Sequence, residues 1–337
     1  MAIVQTVPPG DLSALETHQA ARRRLLLGHE AQIARLRQTD DRRRWVDIAT
    51  FGAMWLGGML LNYLGWRIVS GPAGLGLRMV GILATALGLN AFFLMMHEGM
   101  HSLLLNSRRS NHIGSFLIGS LLCVSFTAYR VLHRWHHLYL GDERDPDDYR
   151  RFGNSRYVIW FGHIFRLTIG SYVYLFLIPA AALKRASAEE RRLIFREYVL
   201  ILLMLVAAIW LFSGDMLLNL WLLPMPLLTV LTGIRGISQH AFTDPTHPFL
   251  ASRSIRAGKL ARFLMLNENY HLEHHLFPEI PSYHLDQVYA LVAPRLDKGT
   301  VAYSYTEFMT SFLKAAAHLA TAPIGVYFDL RNTPSAQ

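Results

Sequence analysis

The sequence predicts an all-α, multi-pass membrane protein: about four transmembrane helices in two hairpins, further interfacial or re-entrant helices, and a cytoplasmic cap rich in histidine. Three observations predict it. Of 337 residues, 52% are apolar and only 17% charged, whereas a soluble globule carries about a quarter charged residues. Mean hydropathy is positive, at +0.23. Four apolar runs reach the ~20 residues that cross a bilayer core.

From Met1 to about Arg44 the chain is polar and basic. Leu25, Leu26, Leu27, Ile33 and Leu36 give part of it an amphipathic pattern, expected to lie in solvent or on the membrane surface. Polar, proline-containing Met1 to Glu16 does not read as a cleavable signal peptide. The first spanning run covers roughly Val46 to Trp66 and the second roughly Leu75 to Met96, with Gly71-Pro72-Ala73-Gly74 as the break between them. The third covers roughly Leu193 to Phe212 and the fourth roughly Met216 to Ile234, with Ser213-Gly214-Asp215 turning between them. Pro224 and Pro226 are expected to kink the fourth, which neighbouring helices make tolerable in a membrane. The apolar runs 113–129 and 157–183 read as re-entrant or interfacial helices. Divided this way, the chain has a basic segment at 1–44, a membrane domain at 45–290 and a C-terminal segment at 291–337.

Arginines set the orientation. Arg22-Arg23-Arg24, Arg42-Arg43-Arg44 and Arg191-Arg192 flank apolar runs, as cytoplasmic flanks do. Helix one then leads out and helix two returns. A second hairpin returns the chain near Arg235, and everything from about Gln239 becomes a cytoplasmic cap. The net charge of +9 is thereby explained without a nucleic-acid partner, which would need a solvated basic face with interleaved aromatics.

Cys123 is the only cysteine, so no internal disulfide and no cysteine-based zinc or iron–sulfur site is expected. Histidine is abundant, with 16 copies, so metal chemistry must run on imidazole and carboxylate. His97 and His101 sit in His97-Glu98-Gly99-Met100-His101. His133, His136 and His137 sit in His133-Arg134-Trp135-His136-His137. His271, His274 and His275 sit in His271-Leu272-Glu273-His274-His275, and His240 follows the fourth run. All are expected on one side of the membrane at one depth. Residues three or four apart share a helical face, so His97 and His101 converge on one ion. In each His-x-x-His-His triplet the first ring faces one of the last two and the other diverges, so a triplet can feed two neighbouring ions. Nine histidines are too many for one metal and enough for two. Scattered surface histidines are the bland alternative, and three clusters on one plane argue against it. His18, His29, His112, His163, His247, His284 and His318 lie outside the clusters and read as local hydrogen-bonding residues.

These three boxes resemble the signature of the integral-membrane fatty acid desaturase and hydroxylase superfamily. The stretch Asn269 to Pro278 is similar to its third box and flanks, and the resemblance covers roughly residues 46–285. It implies a non-haem centre of two iron ions, with His97, His101, His133, His136, His137, His271, His274 and His275 as ligands and His240 as the extra histidine of some members. It also implies oxygen, O2, activated to remove hydrogen from an unactivated C–H bond of a lipid. In one respect the chain departs from the pattern. Some acyl-CoA members carry an asparagine ligand four residues before the extra histidine, where this chain has Gly236.

Metal-binding imidazoles need partners that fix their tautomers. Glu98, Asp145, Asp147, Asp148, Glu268 and Glu273 are candidates, and Arg134 and Trp135 are expected to face away. No residue is singled out as an acid, base or nucleophile. With neither a ferredoxin-like cysteine segment nor a dinucleotide glycine fingerprint, electrons are expected from a separate ferredoxin or small cytochrome. A bacterial inner membrane fits the short, unfused chain. A fatty acyl desaturase is the leading reading. The alternative in the same superfamily is a carotenoid or polyisoprenoid hydroxylase or ketolase, given Asp145-Pro146-Asp147 after box two. A more distant one is an intramembrane zinc protease, because His97-Glu98-Gly99-Met100-His101 matches His-Glu-x-x-His. A metal transporter would place its ligands near the bilayer midplane instead.

Overall fold

The computed structural model describes residues 20, 22–140, 144–147, 156–241, 243, 251–296 and 303–318. These form an all-helical protein, and four helices are long and apolar enough to cross a membrane. A short helix α1 (Glu30–Leu36) precedes the first spanning pair, α2 (Asp41–Arg67) and α3 (Gly71–Met100). The second pair is α8 (Ala188–Leu211) and α9 (Gly214–His240). The expected hairpins are therefore present, with longer helices than the apolar runs alone suggest. Polar ends extend each span. Asp40 caps α2 by accepting from the Arg43 N–H, and Ser187 with Glu190 forms a reciprocal capping box on α8. Helix α9 runs on to His240 itself rather than ending near Ile234. Its irregularity is a π-helical stretch at Leu217–Leu222, followed by Pro224 and Pro226.

Helix α3 is the axis of the bundle. Of its apolar window 61% is buried, against 17–22% for the other spans. Those others present large apolar side chains outward: Trp210 is 86% exposed and Phe195 70%. Such a surface suits lipid, not water.

Glycines let α2 and α3 touch backbone to backbone. A Cβ on Gly81 would sit 2.4 Å from the Asn62 nitrogen and 2.6 Å from the Gly58 oxygen, and one on Gly65 would sit 2.3 Å from the Gly74 oxygen. Small residues at such crossings are how membrane helices approach closely. Gly81→Ala is expected to destabilise the protein by about 1–3 kcal/mol. Gly76→Ala on the same helix, where a Cβ meets nothing within 4 Å, is expected to be neutral or stabilising by up to about 1 kcal/mol. Thermal unfolding in detergent compares the two.

Both ambiguous runs are bent helix pairs. Helices α4 (Arg108–Leu121) and α5 (Phe126–Leu138) meet at 101°. The second pair is α6 (Arg156–Phe165) and α7 (Ser171–Leu183), joined by a π turn at Arg166–Gly170 and bent by 109°. Bends this sharp suit a broken span as well as a re-entrant loop. Beyond α9 come α10 (Lys259–Leu264), α11 (His271–Leu276), α12 (Leu285–Val292) and α13 (Tyr305–His318).

One expectation differs from the structure. The amphipathic N-terminal segment was expected on a surface, but Leu25 and Ile33 are buried in a cluster with Leu272, Leu276, Phe277, Ile280, Leu285, Val288 and Val292. Its apolar stripe covers the back of the third histidine box. Arg22 and Arg37 both pair with Glu279, and Arg295 donates to the Leu25 and Leu27 carbonyls at 2.8 and 2.6 Å.

Candidate metal centre

Box one closes α3. After His101 the chain turns through Ser102 at φ 65°. Asn111 holds the turn: its Oδ1 accepts from the Leu104 and Leu105 N–H groups and its Nδ2 donates to the Gly99 carbonyl. Box two lies on α5, whose first turn is fixed from α8. Buried Glu197 accepts from the Ser125 hydroxyl at 2.6 Å, the Thr127 N–H at 2.9 Å and the Thr127 hydroxyl at 2.7 Å. Box three is the short helix α11. Its entry turn has Leu266 and Asn267 at positive φ. That turn is pinned by Asn269, which exchanges bonds with Ile255, and by Gln239, whose Nε2 donates to the Glu268 carbonyl at 2.6 Å.

The nine predicted histidines come together at one end of the bundle, in two adjoining groups. The first contains His97, His101, His133, His137 and His274, with the nearest nitrogens of all five within 4.8 Å of one another. The second contains His136, His240 and His275. His271 joins it, with its Nε2 2.8 Å from that of His240 and 3.1 Å from that of His275. Each triplet straddles both groups. In box two the i, i+4 pair His133/His137 enters the first group and His136 the second. In box three the i, i+4 pair His271/His275 enters the second group and His274 the first. The His137 and His275 rings stack across the junction with centroids 4.3 Å apart.

These donor sets fit metal ions better than they fit one another. The His133 Nε2 faces His101 Nε2 at 2.8 Å and His137 Nε2 at 3.0 Å, and His137 Nε2 also faces His274 Nε2 at 3.2 Å. One Nε2 carries either a proton or a lone pair, so it cannot satisfy two such neighbours. A cation at the point of convergence satisfies all of them. Neighbouring ligands about 2.1 Å from a first-row metal are about 3.0–3.4 Å apart, close to the 2.8–3.2 Å between these nitrogens.

Buried acids hold the outward ring nitrogens. Glu268 Oε1 lies 3.2 Å from His97 Nδ1, within hydrogen-bond range, while its Oε2 lies 3.6 Å from His271 Nδ1, beyond it, so one carboxylate lies between both groups and bonds to one. His136 Nδ1 lies 3.0 Å from both Asp145 oxygens. Burial lowers the pKa of His271 to about 4 and pushes His274 and His275 well below the ordinary imidazole value. These three rings are therefore neutral and able to bind metal at pH 7.

The other candidate acids are differently employed. Glu98 is fully buried, ion-paired with Arg44, and accepts from the Ser282 N–H at 2.9 Å. Those bonds occupy only Oε2; among the described residues Oε1 has no hydrogen-bond partner and Glu98 groups with His97, Glu268 and His274. Against a one-zinc protease stand the seven further histidines of the centre beyond His97 and His101. Glu273 accepts from the Ser254 hydroxyl, and burial pushes its carboxyl up to about 7. The Asp147 N–H donates to Asp145 at 2.8 Å, and Asp148 lies outside the described residues. Arg134 turns away to Glu190, and Trp135 packs on Tyr139 and Arg185, as expected. Of the remaining histidines, His112 meets Glu197, His163 packs on Phe312, and His29 and His284 bond to Gln32 and Gln287. His18 and His247 lie outside the described residues, as does the His318 side chain.

Arg44, Glu197, Gln239, Arg166 and Arg235 surround the centre without having been singled out. Polar and ionisable residues inside apolar runs are the signal that marks them. Where the resemblance leads to asparagine, Gly236 packs against the Arg166 guanidinium: a Cβ there would meet Nη2 at 2.8 Å.

No curated protein matches the chain at significance. Residues 76–307 match the family model described as fatty acid desaturase, and that span contains all three boxes and His240. The chain belongs to the fatty acid desaturase family, membrane oxidoreductases that act on lipids.

Proposed function

We propose that the protein is a fatty acyl desaturase in which His97, His101, His133, His137 and His274 hold one iron ion and His136, His240, His271 and His275 hold a second. The convergence of nine imidazole nitrogens in two adjoining groups carries this reading. The first set, with five imidazole donors, exceeds the four of a tetrahedral zinc site and so favours iron. When bound, the iron pair supplies activation of O2 for removal of hydrogen from an alkyl C–H bond. The chain's own residues do the rest. Glu268 and Asp145 orient the rings of His97 and His136 and raise their basicity. The buried cluster of Leu25, Ile33 and Phe277 keeps water from the back of box three. By the positive-inside rule the basic flanks support a cytosolic histidine end, where a separate ferredoxin or small cytochrome would deliver electrons, and an inner bacterial membrane suits this arrangement.

Metal analysis of purified protein, together with lipid profiles of cells with and without expression, tests the reading. About two irons per chain and new unsaturated acyl chains are expected. One zinc with unchanged lipids overturns it, and altered carotenoids with unchanged acyl chains favour the isoprenoid hydroxylase instead. Glu268→Gln and Asp145→Asn are each expected to lower metal affinity or turnover by about 10–100-fold.

A further inference from the structure

Two arginines beside the second histidine group form no ion pair among the described residues. Arg166 opens the π turn between α6 and α7, and it lies in a niche that two glycines of α9 leave for it. A Cβ on Gly233 would come to 2.7 Å from the Arg166 carbonyl oxygen, and one on Gly236 would touch its guanidinium. Gly236 is one turn before His240, and the Arg166 charge acts on both the His136 and the His240 rings. Arg235, the neighbour of Gly236, is only 8% exposed. Its guanidinium carbon lies 5.3 Å from the Phe93 ring centroid, and its Nε has no hydrogen-bond partner. The Arg235 charge acts on His271 and on Tyr305, whose buried hydroxyl also lacks a partner. Among the described residues, neither guanidinium forms an ion pair. The nearby acids Asp145 and Glu268 are committed to imidazoles, and Asp147 has its own contacts.

An unbalanced charge in a low-dielectric interior is strongly unfavourable; Arg235 is buried, and half-buried Arg166 lies with it beside a site built for cations. Two guanidinium forks and a phenol are the donor set that recognises an oxyanion. An ionisable group in a membrane span marks a substrate path by default. We propose that Arg166 and Arg235, with Tyr305, bind the anionic head of the lipid substrate, a carboxylate or a phosphate, and so orient its chain toward the histidine groups. This rests on the lipid-oxidase reading and narrows it, because a carotenoid carries no such head.

The test is equilibrium binding of radiolabelled palmitate, hexadecanol and hexadecyl phosphate to the purified full-length protein in neutral detergent, at a pH where palmitate is ionised. Wild-type protein is expected to hold palmitate or the phosphate about tenfold or more tightly than the alcohol. Preference for palmitate identifies a carboxylate head and preference for the phosphate a phosphorylated one. Arg166→Gln and Arg235→Gln are each expected to remove that preference while leaving hexadecanol binding unchanged, and Arg235→Lys to retain part of it. Equal binding of acid, phosphate and alcohol by the wild type overturns the proposal, as does a preference that survives in both glutamine variants. Should Arg235→Gln not fold, Arg166→Gln and the wild-type comparison decide. Metal content of the same samples separates the two readings: about two irons without head-group preference sinks the anion site alone, and preference without metal sinks the oxidase reading.

Discussion

Alanine at His240 or His275 is expected to leave about one metal ion per chain, still held by His97, His101, His133, His137 and His274. Alanine at His101 or His133 is expected to leave the other. In every case turnover should fall by well over 100-fold, beyond the about 10–100-fold typical of residues that only orient a ligand. The division follows from the two groups, since the second set of imidazoles remains intact when the first is broken. Elemental analysis of the purified variants checks it. His284→Ala, whose ring bonds only to Gln287, should keep both ions. Loss of both ions from every single variant would mean that the nine rings form one indivisible site.

The second large effect is on stability. Arg44 and Glu98 are both buried, with side chains 1% and 0% exposed. They join the start of α2, the end of α3 and the Ser282 turn of the cap. Arg44→Ala leaves Glu98 charged and unpaired, and is expected to cost about 3–5 kcal/mol. Replacing both with methionine removes the stranded charge. That double variant should fold about as well as the wild type or better, by up to about 4 kcal/mol. Unfolding in detergent gives the ordering. Glu98→Gln keeps a hydrogen-bonding group in place, so it should retain metal and lose only part of the activity. Complete inactivation with metal retained would revive the protease reading.

Much of this was legible in the sequence. Apolar run length alone locates α2, α3, α8 and α9, because in a bilayer hydropathy and backbone satisfaction point to the same answer. Helical spacing brings the i, i+4 pairs His133/His137 and His271/His275 together. What spacing does not contain is the exchange of middle rings, because it depends on how α5 crosses α11. The docking of Leu25 and Ile33 was unreadable for a similar reason: an amphipathic stripe says that a helix covers something, not what. Six acids stood beside the boxes, and local sequence could not separate Glu268 and Asp145, which face rings, from Glu98, which faces an arginine 54 residues earlier. The Arg166 niche is visible only once Gly233 and Gly236 are seen against a turn far away in the chain.

The docking of the N-terminal stripe has a consequence for the order of assembly. The ribosome delivers Leu25 and Ile33 well before their companions between Leu272 and Val292. Arg44 can meet Glu98 as soon as the first hairpin is inserted, while the stripe ahead of it must wait until box three has been made. The back of that box is therefore covered only after its own synthesis, and metal is expected to enter the site after that point, not before.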